Sequence, residues 1–331
     1  MRVKVSRRSF VQSLGSFAFS LPLLAPISSV RAQQPTKRIG FLGGAVPTLI
    51  TAFEQELLRL GFVDGKNIII EKRISRPNTS DLNDHAAELA KMALDLVFAA
   101  ALPQALVMRK LNPNMPMVIA TCPGMVSNGF AKTLKRPGGI YTGMDELPPG
   151  VTEKRIRLLK TAAPKIKRIA LLSTTPGVGG HEKQLADAEK TARSLKIAVK
   201  PYRAASLAEI ESALAAIVAD GMDAIANFQG GLSLANRDLI VNFAAKNRLP
   251  AVYQAMFFTE AGGLMAWAPD QEEQYRMSAK YVTRILNGAK PGDLPVHFPD
   301  RYYLTINKNA ADRIGLKLPD SLLTKADKLI N

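Results

Sequence analysis

The chain alternates short apolar, β-branched runs with longer segments of helical period, and it runs through that alternation twice. This is how a βαβ chain with parallel sheets reads. Lys37-Arg38-Ile39-Gly40-Phe41-Leu42 opens the first series. A helix follows with Ile50, Phe53, Leu57 and Leu60 near a 3.6-residue period, and Asp64-Gly65 turns the chain into Ile68-Ile69-Ile70. A second helix, capped by Ser80 or Asp81, sets Leu82, Ala86, Leu89 and Met92 on one face. Strands over 95–99 and 117–120 complete the series.

The second series repeats the first. Lys167-Arg168-Ile169-Ala170-Leu171-Leu172 echoes the opening run, Asp223-Ala224-Ile225-Ala226-Asn227 the third strand, and Leu249-Pro250-Ala251-Val252-Tyr253 the run at 115–119. The offsets are nearly constant: 167 against 37, 223 against 95, 249 against 115. Two similar lobes in tandem are expected, and 331 residues is room for two bodies of ~150. After Tyr253 the pattern changes to a strand at 262–267, a helix at 271–286 with Tyr275, Ala279, Val282 and Leu286 on one face, and a strand at 302–306. These segments complete the lobes by crossing back, which makes a hinge and a cleft. The expected division is 36–144 plus 256–286 for the first lobe and 145–255 plus 287–331 for the second.

A net charge of +16 invites a nucleic-acid partner until the charges are located. Residues 1–32 hold Arg2, Lys4, Arg7, Arg8 and Arg31 and no acid. Their apolar stretch, 17–27, is shorter than the ~20 residues a membrane span needs. A basic start, a short apolar middle and Val30-Arg31-Ala32 before Gln33-Gln34-Pro35 read as an export leader cut near Ala32. Ser6-Arg7-Arg8-Ser9-Phe10-Val11-Gln12 resembles the twin-arginine export motif, which puts the mature protein in the periplasm. The remaining charge is spread over the body without interleaved aromatics, so no nucleic acid is expected.

Ligands of open parallel sheets bind beyond the carboxyl ends of the strands. That rule selects the loops at 43–48, 100–104, 121–124, 173–177 and 228–233, and the stretch after Tyr253. Most are small, hydroxylic or glycine-rich, and several precede helices whose free N–H groups suit a small anionic-headed molecule. The candidate ligand-binding residues are Gly44, Thr48, Ala101, Gln104, Thr121, Cys122, Met125, Thr174, Phe228, Gln229, Tyr253 and Trp267. The hydroxyls of Thr48, Thr121 and Thr174 and the Gln229 amide would bond it, between walls of Met125, Phe228, Tyr253 and Trp267. Trp267 has two readings, stacking on a ligand ring or packing beneath it.

Catalytic patterns are missing. No Gly-Lys-Ser/Thr phosphate loop occurs, and neither Gly40–Gly44 nor 177–180 has full dinucleotide spacing. His85, His181 and His297 lie outside the cleft loops, and one cysteine with scattered histidines makes no metal site. Asp145 and Glu146 fall in a Pro/Gly-rich stretch that reads as a linker. No cofactor and no catalytic residue are expected. Cys122, at a strand end, carries the alternative of an exported enzyme with a thiol nucleophile.

Three internal runs and the tail resemble one family. They are Arg59-Leu60-Gly61-Phe62-Val63-Asp64-Gly65-Lys66-Asn67-Ile68, Leu134-Lys135-Arg136-Pro137-Gly138-Gly139-Ile140-Tyr141-Thr142-Gly143 and Phe258-Thr259-Glu260-Ala261-Gly262-Gly263-Leu264-Met265. The tail runs from Ile285-Leu286-Asn287-Gly288-Ala289-Lys290-Pro291-Gly292-Asp293-Leu294-Pro295-Val296 through Leu304-Thr305-Ile306-Asn307 to Ala311 and Gly315-Leu316. Over about 37–328 the chain is similar to the ABC-transporter substrate-binding proteins that include tryptophan- and tyrosine-binding members. The resemblance implies a type 1 periplasmic binding fold of two Rossmann-like lobes. It also implies a small organic solute, an amino acid or related carboxylate with an aromatic side chain among the options, and delivery to permease subunits in the inner membrane. Pro123-Gly124-Met125 stands where many relatives carry Gly-Asp-Pro, so an acid for a ligand amine is missing at Gly124. Ile140 replaces a common asparagine and Trp267 a common tyrosine. A monomer is expected, and a ligand-sensing partner of a membrane signalling protein would share the same binding step.

Overall fold

The computed structural model describes residues 36–75, 81–174, 179–228 and 230–331. The expected leader at 1–32, Ser80 and Gln229 lie outside the described residues. Among those described, no helix is long and apolar enough to cross a membrane.

The first series builds β1 (Lys37–Gly44), α1 (Pro47–Arg59), β2 (Ile68–Ser75), α2 (Leu82–Ala90), β3 (Leu96–Ala99), α3 (Leu102–Leu111), β4 (Met117–Cys122) and β5 (Tyr141–Asp145). Its strands run parallel in the order β2-β1-β3-β4-β5. The second builds α4 (Val151–Ala162), β6 (Arg168–Ser173), α5 (Gly179–Ser194), β7 (Ala198–Arg203), α6 (Leu207–Ala219), β8 (Ala224–Asn227), α7 (Gly231–Ala235), α8 (Arg237–Lys246), β9 (Ala251–Tyr253), α9 (Met256–Glu260) and β10 (Met265–Pro269). Its order, β7-β6-β8-β9-β10, is that of the first sheet. After α10 (Gln271–Leu286) come β11 (Tyr302–Asn307), α11 (Lys308–Arg313), α12 (Asp320–Leu323) and β12 (Lys328–Ile330). Of these, β11 adds to β10 antiparallel and β12 to β11 parallel.

Both faces of each sheet are covered at its inner strands, so their residues are buried whichever way they point. Ile39, Phe41 and Phe98 face α1 and α10, while Leu42, Val97 and Ala99 face α2 and α3. In the second sheet Ile169, Leu171 and Val252 join one layer and Ala170, Leu172 and Tyr253 the other. Helix starts are set by ordinary chemistry. Ser206 caps α6, its Oγ accepting from Glu209 N–H at 3.2 Å, while Glu209 Oε2 reaches back to accept from Ala205 N–H at 2.9 Å. The carboxylate of Asp270 accepts from Glu272 and Glu273 N–H at 2.8 and 3.2 Å and starts α10.

The segment 256–286, expected as a whole in the first lobe, is divided. Both α9 and β10 belong to the second sheet's side, and α10 alone returns. The reason is apolar surface: Tyr275, Ala279, Val282 and Leu286 of α10 cover the first sheet, with Tyr275 edge-on to Phe98 at 5.2 Å between ring centroids. Residues 294–297, expected in the second lobe, also stay with the first. Leu294 C=O accepts from Thr142 Oγ1 at 2.9 Å, and His297 bonds both ways along β5. The chain therefore crosses between sheets three times, at 146–150, at Asp270 and at 298–301.

Candidate functional site

Where the carboxyl ends of the two sheets face each other, a cavity of about 70 Å³ lies between them. At ~10–15 Å³ for each water-sized sphere this holds several waters or the polar head of a solute. From the first lobe it takes Ala101, Leu102, Pro103, Thr121 and Pro123. The second lobe and the crossings add Glu146, His181, Gly230, Gly231, Leu234, Gln254, Ala255 and Gln271.

The wall is built by strand ends and the turns after them. Thr121 Oγ1 donates to Ala100 C=O at 3.0 Å and ties β4 to the β3–α3 turn. The turn after β4 is held by Asp145, which accepts from Gly124, Met125 and Leu147 N–H at 3.0, 2.8 and 2.9 Å. Burial pushes the Asp145 carboxyl up, and those three backbone donors work against it. On the other side Ser233 N–H donates to Thr174 Oγ1 at 3.2 Å, Ser233 Oγ to Gly230 C=O at 2.9 Å, and Gln254 Nε2 to Ser233 Oγ at 3.3 Å. Ser173 Oγ and His181 Nδ1, 3.0 Å apart, hold the imidazole at the start of α5.

Glu146 is the charged group of the wall. It is 1 % exposed, its N–H donates to Cys122 C=O at 3.0 Å and its C=O accepts from Tyr302 OH at 2.9 Å. Burial pushes its carboxyl up to about 7; Gln274 and Arg155 favour the charged form and Asp145 opposes it. Buried beside it, Arg155 is pulled down to about 10 by burial, with Tyr302 and Glu146 acting the other way. The Oε1 atoms of Gln254 and Gln271 are buried without a hydrogen-bond partner among the described residues. A wall of this kind, two amide oxygens and a carboxyl beside Leu102, Pro103 and Leu234, receives a molecule with hydrogen-bond donors.

Of the sequence-derived candidates, Ala101 and Thr121 lie in the wall. Thr174 stands one bond behind it, holding Ser233. Gln104, with a buried Oε1, sits in the first turn of α3, and Gly44 and Thr48 sit at the partly open start of α1. The aromatic candidates are elsewhere. Phe228 and Met125 are core residues, Tyr253 stacks on Phe258 at 4.7 Å, and Trp267 stacks on Tyr302 at 5.9 Å. Trp267 is half-buried against Tyr302 and is not among the residues of the wall.

Two sequence-level exclusions are corrected. His181, placed outside the cleft because it follows the loop instead of lying in it, reaches the wall from the first turn of α5. Glu146, read as part of a linker, lines the cavity because that linker is also the first crossing. The thiol alternative loses its footing: Cys122 is 0 % exposed in the core behind the wall, and burial, with Asp145 and Glu146 nearby, pushes its thiol well up. A nucleophilic thiol needs the opposite. We expect Cys122→Ala to leave solute affinity within about twofold and native Cys122 to resist alkylation until the protein unfolds, both read by titration and thiol labelling.

A family model described as ABC transporter substrate binding protein matches residues 45–330. A tyrosine-binding protein of Clostridioides difficile is 21% identical over 257 residues, 78% of this chain and 73% of its own length. Among solved structures, an ABC domain in complex with L-Trp from Streptococcus pneumonia superposes with a TM-score of 0.81 at 24% identity, covering 89% of this chain and 100% of that one. The ligand-free, open structure of a substrate-binding protein with adhesive properties from Clostridium difficile gives 0.62 at 23% identity, over 89% and 99%.

Proposed function

Because the chain belongs to the ABC transporter substrate-binding protein family and has the type 1 periplasmic binding fold, we propose that its solute is an amino acid whose ammonium group meets Glu146. The observation that carries this reading is a buried carboxyl in the wall of a cavity otherwise bounded by amides, a hydroxyl, an imidazole and apolar side chains. A cation beside it offsets its burial, and the ligand's carboxylate finds donors among the backbone N–H groups of the strand-end turns. The acid missing at Gly124 is supplied from the hinge. The tyrosine-binding relative and the L-Trp complex support the same ligand class.

The leader at 1–32 carries the chain outside the cytoplasm by the twin-arginine route in this reading. The receptor works there as a monomer and presents its closed, loaded form to permease subunits, since closure that depends on solute is what distinguishes loaded from empty. Closer superposition on the L-Trp complex than on the open, ligand-free structure supports a closed arrangement of the lobes here. A melting-temperature screen of the mature protein, freed of copurified solute, tests the ligand class. At ~100 times its dissociation constant a true solute adds about 2.7 kcal/mol. L-tyrosine, L-tryptophan and aliphatic amino acids are expected to raise the melting temperature, with sugars and simple carboxylates inert; a shift with sugars alone would overturn the proposal.

A further inference from the structure

Across the seam between the lobes, two stretches of backbone touch where no side chain could fit. Pro123 lies in the first lobe, just after β4, and Gly180 is buried in the first turn of α5 in the second. A Cβ on Gly180 would sit 1.7 Å from the Pro123 carbonyl oxygen and 2.6 Å from its carbon, and its three nearest neighbours among the described residues all belong to Pro123. From the other side, a Cβ on Gly124 would lie 3.1 Å from Gly180 Cα.

We infer that this Pro123–Gly180 contact is the latch of the closed receptor and that Gly180 is a positioning residue for solute binding, which rests on the receptor reading above. Three features separate it from ordinary packing. First, the Pro123 side of the seam is stiff. Asn128 Nδ2 donates to Pro123 C=O at 2.9 Å and to Gly124 C=O at 2.8 Å, and Asp145 clamps the next two N–H groups. Met125 anchors the turn in the core. A side chain at 180 therefore meets backbone that cannot step aside. Second, among the described residues the obstruction lies between lobes. Gly180 has a helical backbone within α5, where alanine is the better helix former, so the second lobe alone tolerates the substitution. Third, the contact borders the cavity: Pro123 and His181 both line it, so separating the pair opens the cavity at that edge. Lys183, one turn further along α5, favours the charged form of Asp145 across the same seam.

A receptor whose closed state is blocked binds in its open form only, and its apparent affinity falls with the fraction able to close. The test compares wild type and Gly180→Ala using L-tyrosine and L-tryptophan as probes. Calorimetry and stopped flow give affinity and dissociation rate, X-ray scattering gives the contraction on adding probe, and the unliganded melting temperature reports the fold. For Gly180→Ala the expectation is an unliganded melting temperature within about 2 °C of wild type, affinity at least about tenfold weaker through faster dissociation, and no contraction. A variant that contracts and binds like wild type overturns the latch alone. A variant whose unliganded protein melts many degrees lower assigns Gly180 to the fold of the second lobe and overturns it too. Wild-type protein that neither binds nor contracts with either probe overturns the receptor reading, and the latch with it.

Discussion

Glu146→Gln should weaken amino-acid binding by about 10- to 150-fold, the span of a charge-assisted hydrogen bond worth about 1.5–3 kcal/mol. It should also remove the pH dependence of binding. In wild type the carboxyl is pushed from its ordinary 4.5 up to about 7, so near neutral pH a proton competes with the ligand's ammonium group. Affinity should then fall roughly tenfold for each pH unit below about 7 and level off above it, and binding near pH 6–7 should release a proton. Stability of the unliganded protein should move the opposite way. A carboxyl whose folded value lies above its unfolded value holds more protons folded than unfolded between about 4.5 and 7. Its contribution is complete below about 4.5 and is lost as pH rises through about 7, a change on the order of 3 kcal/mol. Calorimetry in buffers of different ionisation heat, with melting curves from pH 5 to 8, reads both trends. Wild-type affinity flat across that range, or a Gln variant that keeps the slope, would sink the assignment of Glu146.

The architecture was largely written in the apolar periodicity, because parallel strands buried on both faces leave continuous runs such as 169–172 and 224–227. Three strands left no such mark, one of them the short β12 at the end of the chain. Residues 198–203 form an edge strand, exposed and carrying Pro201, and a proline at an edge reads as a loop. Residues 141–145 contain Gly143, where a Cβ would lie 2.0 Å from Ile119 C=O, and they run into Pro148-Pro149-Gly150. A glycine required by close strand packing looks like a linker when only the letters are seen. The site divides in the same way. Strand ends located the cleft, since that follows from sheet topology, but orientation within it does not. Tyr253 and Trp267 advertise bulk, and it was their stacking on Phe258 and Tyr302 that fixed where the bulk went. Glu146 was missed because hinge and linker share a composition. Gln254 and Gln271 carry no pattern at all beyond following strands.

Arg155→Ala should destabilise the protein by about 2–5 kcal/mol, the cost of emptying a large buried site and leaving a backbone carbonyl without its donor. The side chain is 2 % exposed, its Nε donates to Trp267 C=O at 2.9 Å, and its positive charge lies close enough to Glu146 to favour the carboxylate. Alanine removes packing inside α4, unties the end of β10 just before the chain crosses at Asp270, and leaves the carboxyl without its cation. The consequence for binding has a definite sign. With the cation gone, Glu146 holds its proton to higher pH, so the midpoint of the affinity profile should move above about 7. Affinity at pH 7 should weaken, and much of the loss should return at pH 9. Arg155→Met separates the two effects. It keeps the volume and most of the packing, so the stability cost should be smaller, yet it lacks the charge, so the midpoint should move as far as in the alanine variant. Urea unfolding and affinity profiles of both variants decide the matter. A lost stability with an unmoved midpoint in both would make Arg155 a packing residue of the hinge and nothing more, whereas a midpoint that moves equally in both ties the crossing helix to the charge that selects the solute.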